Sequence, residues 1–413
     1  MSNARYMTAK EAAALLDVKE ATLYAYVSRG LIRSEAISDA PRQRLYLAED
    51  VQKLAERKVQ RRDPAKAARD ALHWGTPMLE SALTLITENA LYYRGYDVAQ
   101  LAREHTFEEV ATLLWTGGMD QAEQLFTTKP LLSSHLQTMA TLHLPTMQRL
   151  QVALTLATTD DLSAYDLHPE AIVHTGARIL WLMAAVAAQV DALDTTIAGT
   201  LAQAWQPGSI ALLNAALILC ADHELNASSF TARVVASAEA NPYAVVLAGL
   251  AALGGFKHGG QTERASAFLR EVGEPSRVRL VVAERLRRGE RLPGFGHRLY
   301  PDSDPRAVAL LSLLAKVYPT SPALALAQAV IHEATAVTSG APTIDFALAM
   351  LEQTLQLSYG AGLTLFALGR TVGWLGHALE QYQGQQLIRP RARYIGVAPR
   401  QKEPGVPESV FGK

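Results

Sequence analysis

The chain has 413 residues, 49% hydrophobic and 19% charged, with a formal net charge of −1. That length exceeds what one core keeps compact, so two or three domains are expected, and the near-neutral balance argues against the whole molecule being a nucleic-acid or membrane-surface binder. A lone Cys220 excludes a disulfide scaffold and fits a reducing compartment.

The opening "MSNARYMTAKEAAALL" lacks the long apolar stretch of a signal peptide. Apolar runs such as "ILWLMAAVAA" are too short to span a bilayer, so a soluble cytoplasmic protein with no membrane partner is expected. Residues 1–70 hold 14 Lys/Arg against 10 Asp/Glu, and the remainder holds 25 against 30, which points to a small basic module on an acidic body. The break is expected in "RKVQRRDPAKAARD", where Asp63-Pro64 interrupts a helical pattern.

In the basic module, "MTAKEAAALLDVKEATLYAYVSRGLIRSE" reads as an amphipathic helix over Lys10–Leu16, a tight connection at Asp17-Val18, and a second helix over Glu20–Ser28 stopped by Gly30. "PRQRLYLAEDVQKLAERK" then supplies a basic turn with Arg42 and Arg44, and a third helix capped near Glu49-Asp50. Leu15, Val18, Leu23 and Leu31 are expected to form the small core. Residues 7–58 resemble the helix-turn-helix of MerR- and excisionase-like regulators. The resemblance implies a second helix in the major groove, with Lys19, Thr22, Tyr24 and Tyr26 facing DNA and Arg42 and Arg44 on the backbone. The same fold also serves in protein interactions, and a net +4 is modest for a DNA binder.

From about residue 70 nearly every segment reads as helix, including "FEEVATLLW", "TMQRLQVALTLA" and "GAGLTLFALGRTVGWLGHALEQYQ". The body is therefore expected to be all-α, with residues 209–220 buried on all faces. Of eleven histidines, most sit in polar or loop contexts, and His377 lies within a helical stretch. Three lie in glycine-bearing or turn-like settings near acids or arginines: His223 in "ADHELNASSFTARV", His258 in "GGFKHGGQTERA" and His297 in "LPGFGHRLYPDSDPRA". "GAPTIDFALAML" places Asp345 in the first turn of a helix beginning near Pro342, where the helix dipole favours an ionised carboxylate.

"HELNA" lacks the second histidine of a zinc-protease motif, "GFGHRL" lacks the third glycine of a dinucleotide loop, and no pair of His and Cys residues has metal-ligand spacing. Histidines, a carboxylate and arginines without a cofactor suit proton abstraction next to a carbonyl, then attack on a second carbonyl. Over residues 78–396 the chain resembles a citrate synthase, through "YRGYD", "DHELNASSFTARV", "KHGG", "PGFGHRLYPDSDPRA", "PTIDFAL" and "IRPRARYIG" in the family's order.

The resemblance implies a two-domain, all-α homodimer with an added helix-turn-helix at residues 1–62, a large domain over 70–259 and 356–413, and a small domain over 260–355. It also implies roles: Asp345 as the base towards acetyl-CoA, His258 as donor to the forming enol oxygen, and His297 as donor to the ketone of oxaloacetate. His223, Arg306 and Arg389 would hold oxaloacetate, the arginines by bidentate forks, and the backbone of Pro293, Gly294, Phe295 and Gly296 would cradle CoA. No cofactor or metal is expected, acetyl-CoA being a co-substrate. The sequence departs from the family's usual pattern at Lys257, at Gln261-Thr262-Glu263 in place of Ala-Asn, and at Pro301. A 2-methylcitrate synthase using propionyl-CoA shares this chemistry, because a single methylene is worth only ~1–3 kcal/mol of discrimination. A DNA-binding regulator with a metabolite-sensing, synthase-like body is the alternative that the N-terminal module motivates.

Overall fold

The computed structural model describes residues 6–37, 40–51, 54, 79–127, 143–338, 340–392 and 394–397. The expected break at Asp63-Pro64 lies outside them. The chain divides into two compact units, residues 1–80 and 81–413.

In the first unit the order is β1 (Tyr6–Met7), α1 (Ala9–Leu16), α2 (Glu20–Ser28), β2 (Ser34–Ile37) and β3 (Ala40–Leu47). Thr8 and Glu11 cap α1 reciprocally, and Asp17 ends it in the left-handed conformation at φ 50°. The strands form an antiparallel sheet in the order β1-β3-β2. The expected basic turn is therefore a strand: Arg42 and Arg44 lie in β3, and helix resumes at residue 48. The small core also differs from expectation. Leu23 is buried and Val18 packs against the core, but Leu15 and Leu31 are 46% and 40% exposed. Ala12, Ala13, Leu16, Ile32, Tyr46 and Val51 fill the interior instead. With Tyr46 contributed by the sheet, the helices need fewer apolar positions of their own.

The second unit opens with an antiparallel sheet, β4 (Thr84–Ile86), β5 (Leu91–Tyr93) and β6 (Tyr96–Asp97). Helices follow: α3 (Val98–Glu104), α4 (Phe107–Thr116), α5 (Ala122–Thr127), α6 (Thr146–Asp160), α7 (Pro169–Ala188), α8 (Ile197–Trp205), α9 (Ile210–Cys220), α10 (Ala227–Ala236) and α11 (Pro242–Leu253). After these come α12 (Gly260–Val272), α13 (Val278–Arg287), α14 (Pro305–Val317), α15 (Pro322–Thr338), α16 (Ile344–Thr354) and α17 (Ala361–Gly384). Side-chain caps set several starts: Thr106 with Glu109 at α4, Asn226 at α10, and Asn241 before Pro242 at α11.

The core runs along α17, where almost every residue from Ala361 to Leu379 is buried, and α9, α10, α11 and α16 pack around it. A helix apolar on all sides has to be central, since no face is left for water. By length and composition α7 is also apolar enough to cross a membrane, but 72% of that stretch is buried inside the protein.

Candidate active site

The ends of these central helices bring His223, His258, His297 and Asp345 into one neighbourhood. His223 follows the end of α9, its Nε2 3.0 Å from the Tyr300 hydroxyl. Its ring meets that of His297 edge-on at 5.4 Å, and His297 lies 5.0 Å from the Tyr300 ring. Burial, then the charges of Arg306 and Arg370, hold His223 well below the ordinary imidazole pKa, with His297 and His258 adding to the effect. Burial and then Arg370 push His258 down to about 4. Burial and then Arg306 push His297 down to about 4 as well, against the opposing pull of Asp304. At neutral pH all three rings are uncharged.

The hydrogen bonds limit where their protons can lie. Asn226 Oδ1 accepts from the amides of Ser228 and Ser229, and the Ser228 hydroxyl is within 2.8 Å of it as well. The Trp374 indole donates to Ser228 Oγ at 3.1 Å. Ser228 Oγ also lies 2.8 Å from His258 Nε2, so the imidazole hydrogen sits on Nδ1 when the hydroxyl proton points to the ring and on Nε2 when it points to Asn226. At His297 the Leu299 amide donates to Nδ1 at 3.2 Å, so Nε2 carries the hydrogen. Each ring presents one neutral N–H donor.

Asp345 occupies the first turn of α16, as the sequence predicts, although the helix begins at Ile344 rather than near Pro342. Burial outweighs the helix terminus and raises its pKa, opposed by a hydrogen bond from Thr262 and by the charge of Arg306. Asp304 caps α14 and accepts from Arg306 Nε (3.0 Å) and Nη2 (2.8 Å) while also accepting from the Ile344 amide (3.0 Å). One carboxylate thus fixes both the arginine and the start of the helix that carries Asp345. The bidentate edge of Arg306 is consequently spent on Asp304, and Nη1 is the end left to meet a ligand.

The loop at 293–297 lies against α16. The Gly296 amide donates to Ala341 and the Thr343 amide to Gly294, and the Phe295 and Phe346 rings are 5.0 Å apart. Gly294 has φ +81°, and a Cβ there would come within 2.8 Å of Phe346 Cβ, so only glycine fits. Pro293 and Gly294 are buried, Phe295 is half-buried and Gly296 is exposed. Arg389 lies beyond α17 and is exposed; among the described residues no hydrogen bond or ion pair joins it to the cluster.

Sequence reasoning missed Arg370. It lies in the middle of α17, 1% exposed, with Nε donating to the Cys220 carbonyl at 2.8 Å. Its Nη2 is buried without a partner among the described residues, while its charge acts on both His223 and His258. The signal was available: a single arginine in an otherwise apolar helix is too costly to bury for packing alone. Sequence reading also gave Ser228 no role and marked Thr262 only as a departure from the family's pattern. His377, read only as part of a helix, is fully buried with Nε2 3.3 Å from Asp222 Oδ1, and supports the residue before His223.

In the N-terminal unit Lys19 is exposed at the start of α2 and Tyr24 is 56% exposed. Thr22 and Tyr26 are half-buried, and Tyr26 packs on the small core. Arg44 donates to Ser34 at 3.0 Å, and the Arg42 side chain lies outside the described residues.

The buried imidazoles, guanidiniums and carboxylates of this helical body are the groups that acid–base chemistry on carbonyl compounds needs. The chain belongs to the citrate synthase family: residues 71–391 match the model for "Citrate synthase, C-terminal domain", and residues 6–59 match a "Helix-turn-helix domain". It is an enzyme of acyltransferase type. The chain is 31% identical to citrate synthase 2 of Bacillus subtilis (strain 168), over 78% of this chain and 94% of that one. It is 29% identical to the 2-methylcitrate synthase of Shewanella oneidensis, over 79% and 94%. Among solved structures it is similar to the ternary complex of carboxymethyl coenzyme A and oxaloacetate with citrate synthase from Thermoplasma acidophilum, with TM-score 0.72 and 25% identity over 81% of this chain and 98% of that one.

Proposed function

We propose that the protein condenses acetyl-CoA with oxaloacetate and hydrolyses the resulting citryl-CoA to citrate and CoA. One observation carries this reading. Two neutral imidazoles, each with one N–H donor, stand near a buried carboxylate under the charge of Arg306 and Arg370. Asp345 removes a proton from the carbon next to the thioester, and His258 Nδ1–H stabilises the enol oxygen. That carbon attacks the ketone of oxaloacetate, while His297 Nε2–H donates to its oxygen and delivers the proton to the new alkoxide. Water then cleaves the thioester. Neutral donors suit the task, because a donor already in place where charge develops is worth ~3–4 kcal/mol.

Arg306 through Nη1, Arg370 through its two Nη groups, and His223 hold the oxaloacetate carboxylates. Arg389, exposed past α17, joins them when substrate binds, and the enzyme works as a homodimer. Phe295 and Gly296 are the members of the 293–296 loop open to CoA. The setting is the cytoplasm.

The test is CoA release with oxaloacetate and either acetyl-CoA or propionyl-CoA. Turnover of acetyl-CoA with the higher kcat/KM supports the proposal, and a preference for propionyl-CoA makes the protein a 2-methylcitrate synthase. No turnover with either, alongside salt-sensitive binding of the N-terminal unit to DNA, favours the regulator. The exposed Lys19 before α2 and the exposed Tyr24 on it motivate that second reading.

A further inference from the structure

Thr262 lies one helical turn beyond His258, in the first turn of α12, at a position where the chain departs from the family's usual Ala-Asn. Its side chain is buried, and its hydroxyl donates to Asp345 Oδ1 at 2.6 Å, the length of a charge-assisted bond. The methyl group is held from the other side: at Gly362, near the start of α17, a Cβ would come within 3.2 Å of Thr262 Cγ2. A threonine in a helix has few χ1 choices, and with the methyl packed at Gly362 the hydroxyl is turned to Asp345. The other carboxylate oxygen, Oδ2, is held far less firmly, with Thr343 Oγ1 at 3.5 Å.

We infer that Thr262 is a positioning residue for the base: its hydroxyl anchors Oδ1 and thereby makes Oδ2 the atom that takes the substrate proton. The inference rests on the assignment of Asp345 as base. The direction of the pKa agrees with it, since burial raises Asp345 and the Thr262 bond is the largest influence pulling it back. The other charged groups acting on that carboxylate from neighbouring elements are Arg306 and Asp304 of the α14 start, and its own charge reaches the titratable Cys220 thiol of α9. The helices α12, α15 and α17, which also pack against α16, carry Glu263, Glu333 and Arg370.

The experiment compares Thr262→Val, Thr262→Ser and Thr262→Ala in the full chain, with whichever acyl-CoA the unaltered protein turns over. Valine keeps the shape and loses the hydroxyl. Serine and alanine lose the same methyl group and differ only in the hydroxyl, so that pair decides the matter even when the valine variant melts early. The expected result is a kcat lowered about tenfold or more in Val and Ala, with an acid limb of the kcat/KM profile raised by about one pH unit. Oxaloacetate affinity by calorimetry stays within about twofold, and the isotope effect with acyl-CoA deuterated next to the thioester rises. Serine restores kcat and the acid limb. Equal kcat and acid limbs in Ser and Ala would overturn the inference and leave Thr262 a packing residue. Full turnover in Asp345→Asn would instead remove the base assignment itself.

Discussion

Replacing Arg370 by methionine separates ligand recognition from stability. Arg370 spends Nε on the Cys220 carbonyl, and its Nη2 finds no partner among the described residues. A hydrogen bond to a charged group is worth about 1.5–3 kcal/mol. Losing the contact with an oxaloacetate carboxylate is therefore expected to raise KM for oxaloacetate ~10–150-fold, each 1.4 kcal/mol being tenfold. Stability moves little, because the lost bond to Cys220, about 1 kcal/mol, is offset by no longer burying a charge without a carboxylate in hydrogen-bond reach. Arg306→Met is the contrasting case. It leaves Asp304 buried beside no cation, at a cost of about 3–5 kcal/mol. CoA-release kinetics, calorimetric binding of oxaloacetate and thermal melting measure all three quantities. An Arg370→Met protein with unchanged oxaloacetate KM, or one as destabilised as Arg306→Met, would refute the argument.

Ser228→Ala removes the group bonded to His258 Nε2 and leaves the Trp374 indole without its acceptor. Turnover is expected to fall while stability drops by about 1–3 kcal/mol, and equal kcat and melting temperature would contradict any role for that bond. At Gly249 a Cβ would overlap the Trp374 ring. Gly249→Ala is therefore expected to lose about 1–3 kcal/mol in urea unfolding. His258 and His297 titrate near 4 when folded but near the ordinary 6.5 when unfolded. Between those values the unfolded chain binds protons the folded chain refuses, so stability falls as pH drops through that window. Asp345, with its raised pKa, opposes the trend. A urea midpoint lower at pH 5 than at pH 7 is expected, and equal midpoints would show that these rings are not buried neutral.

The positions of His223, His258, His297 and Asp345 were legible because each sits where helix-forming sequence breaks at glycine, proline or a polar cap. The charge of Arg370 in an apolar helix was a readable signal, whereas the roles of Ser228 and Thr262 were not legible, because which of their neighbours is a histidine or an aspartate is decided by distant segments. The helices of the body were legible from their period. The strands of two or three residues in β4–β6 are too short to show alternation, and β3 was hidden by its arginines and Pro41, which read as a turn. In the small unit, apolar spacing named Leu15 and Leu31 as interior, but the sheet placed Tyr46 there instead.

The bond from the Trp374 indole to Ser228 gives the molecule an intrinsic optical reporter. Any change in how Ser228 shares its proton with His258 alters the polarity at a fully enclosed indole. Near-ultraviolet difference spectra on adding substrate thus record events at that imidazole directly, without a dye and without waiting for product.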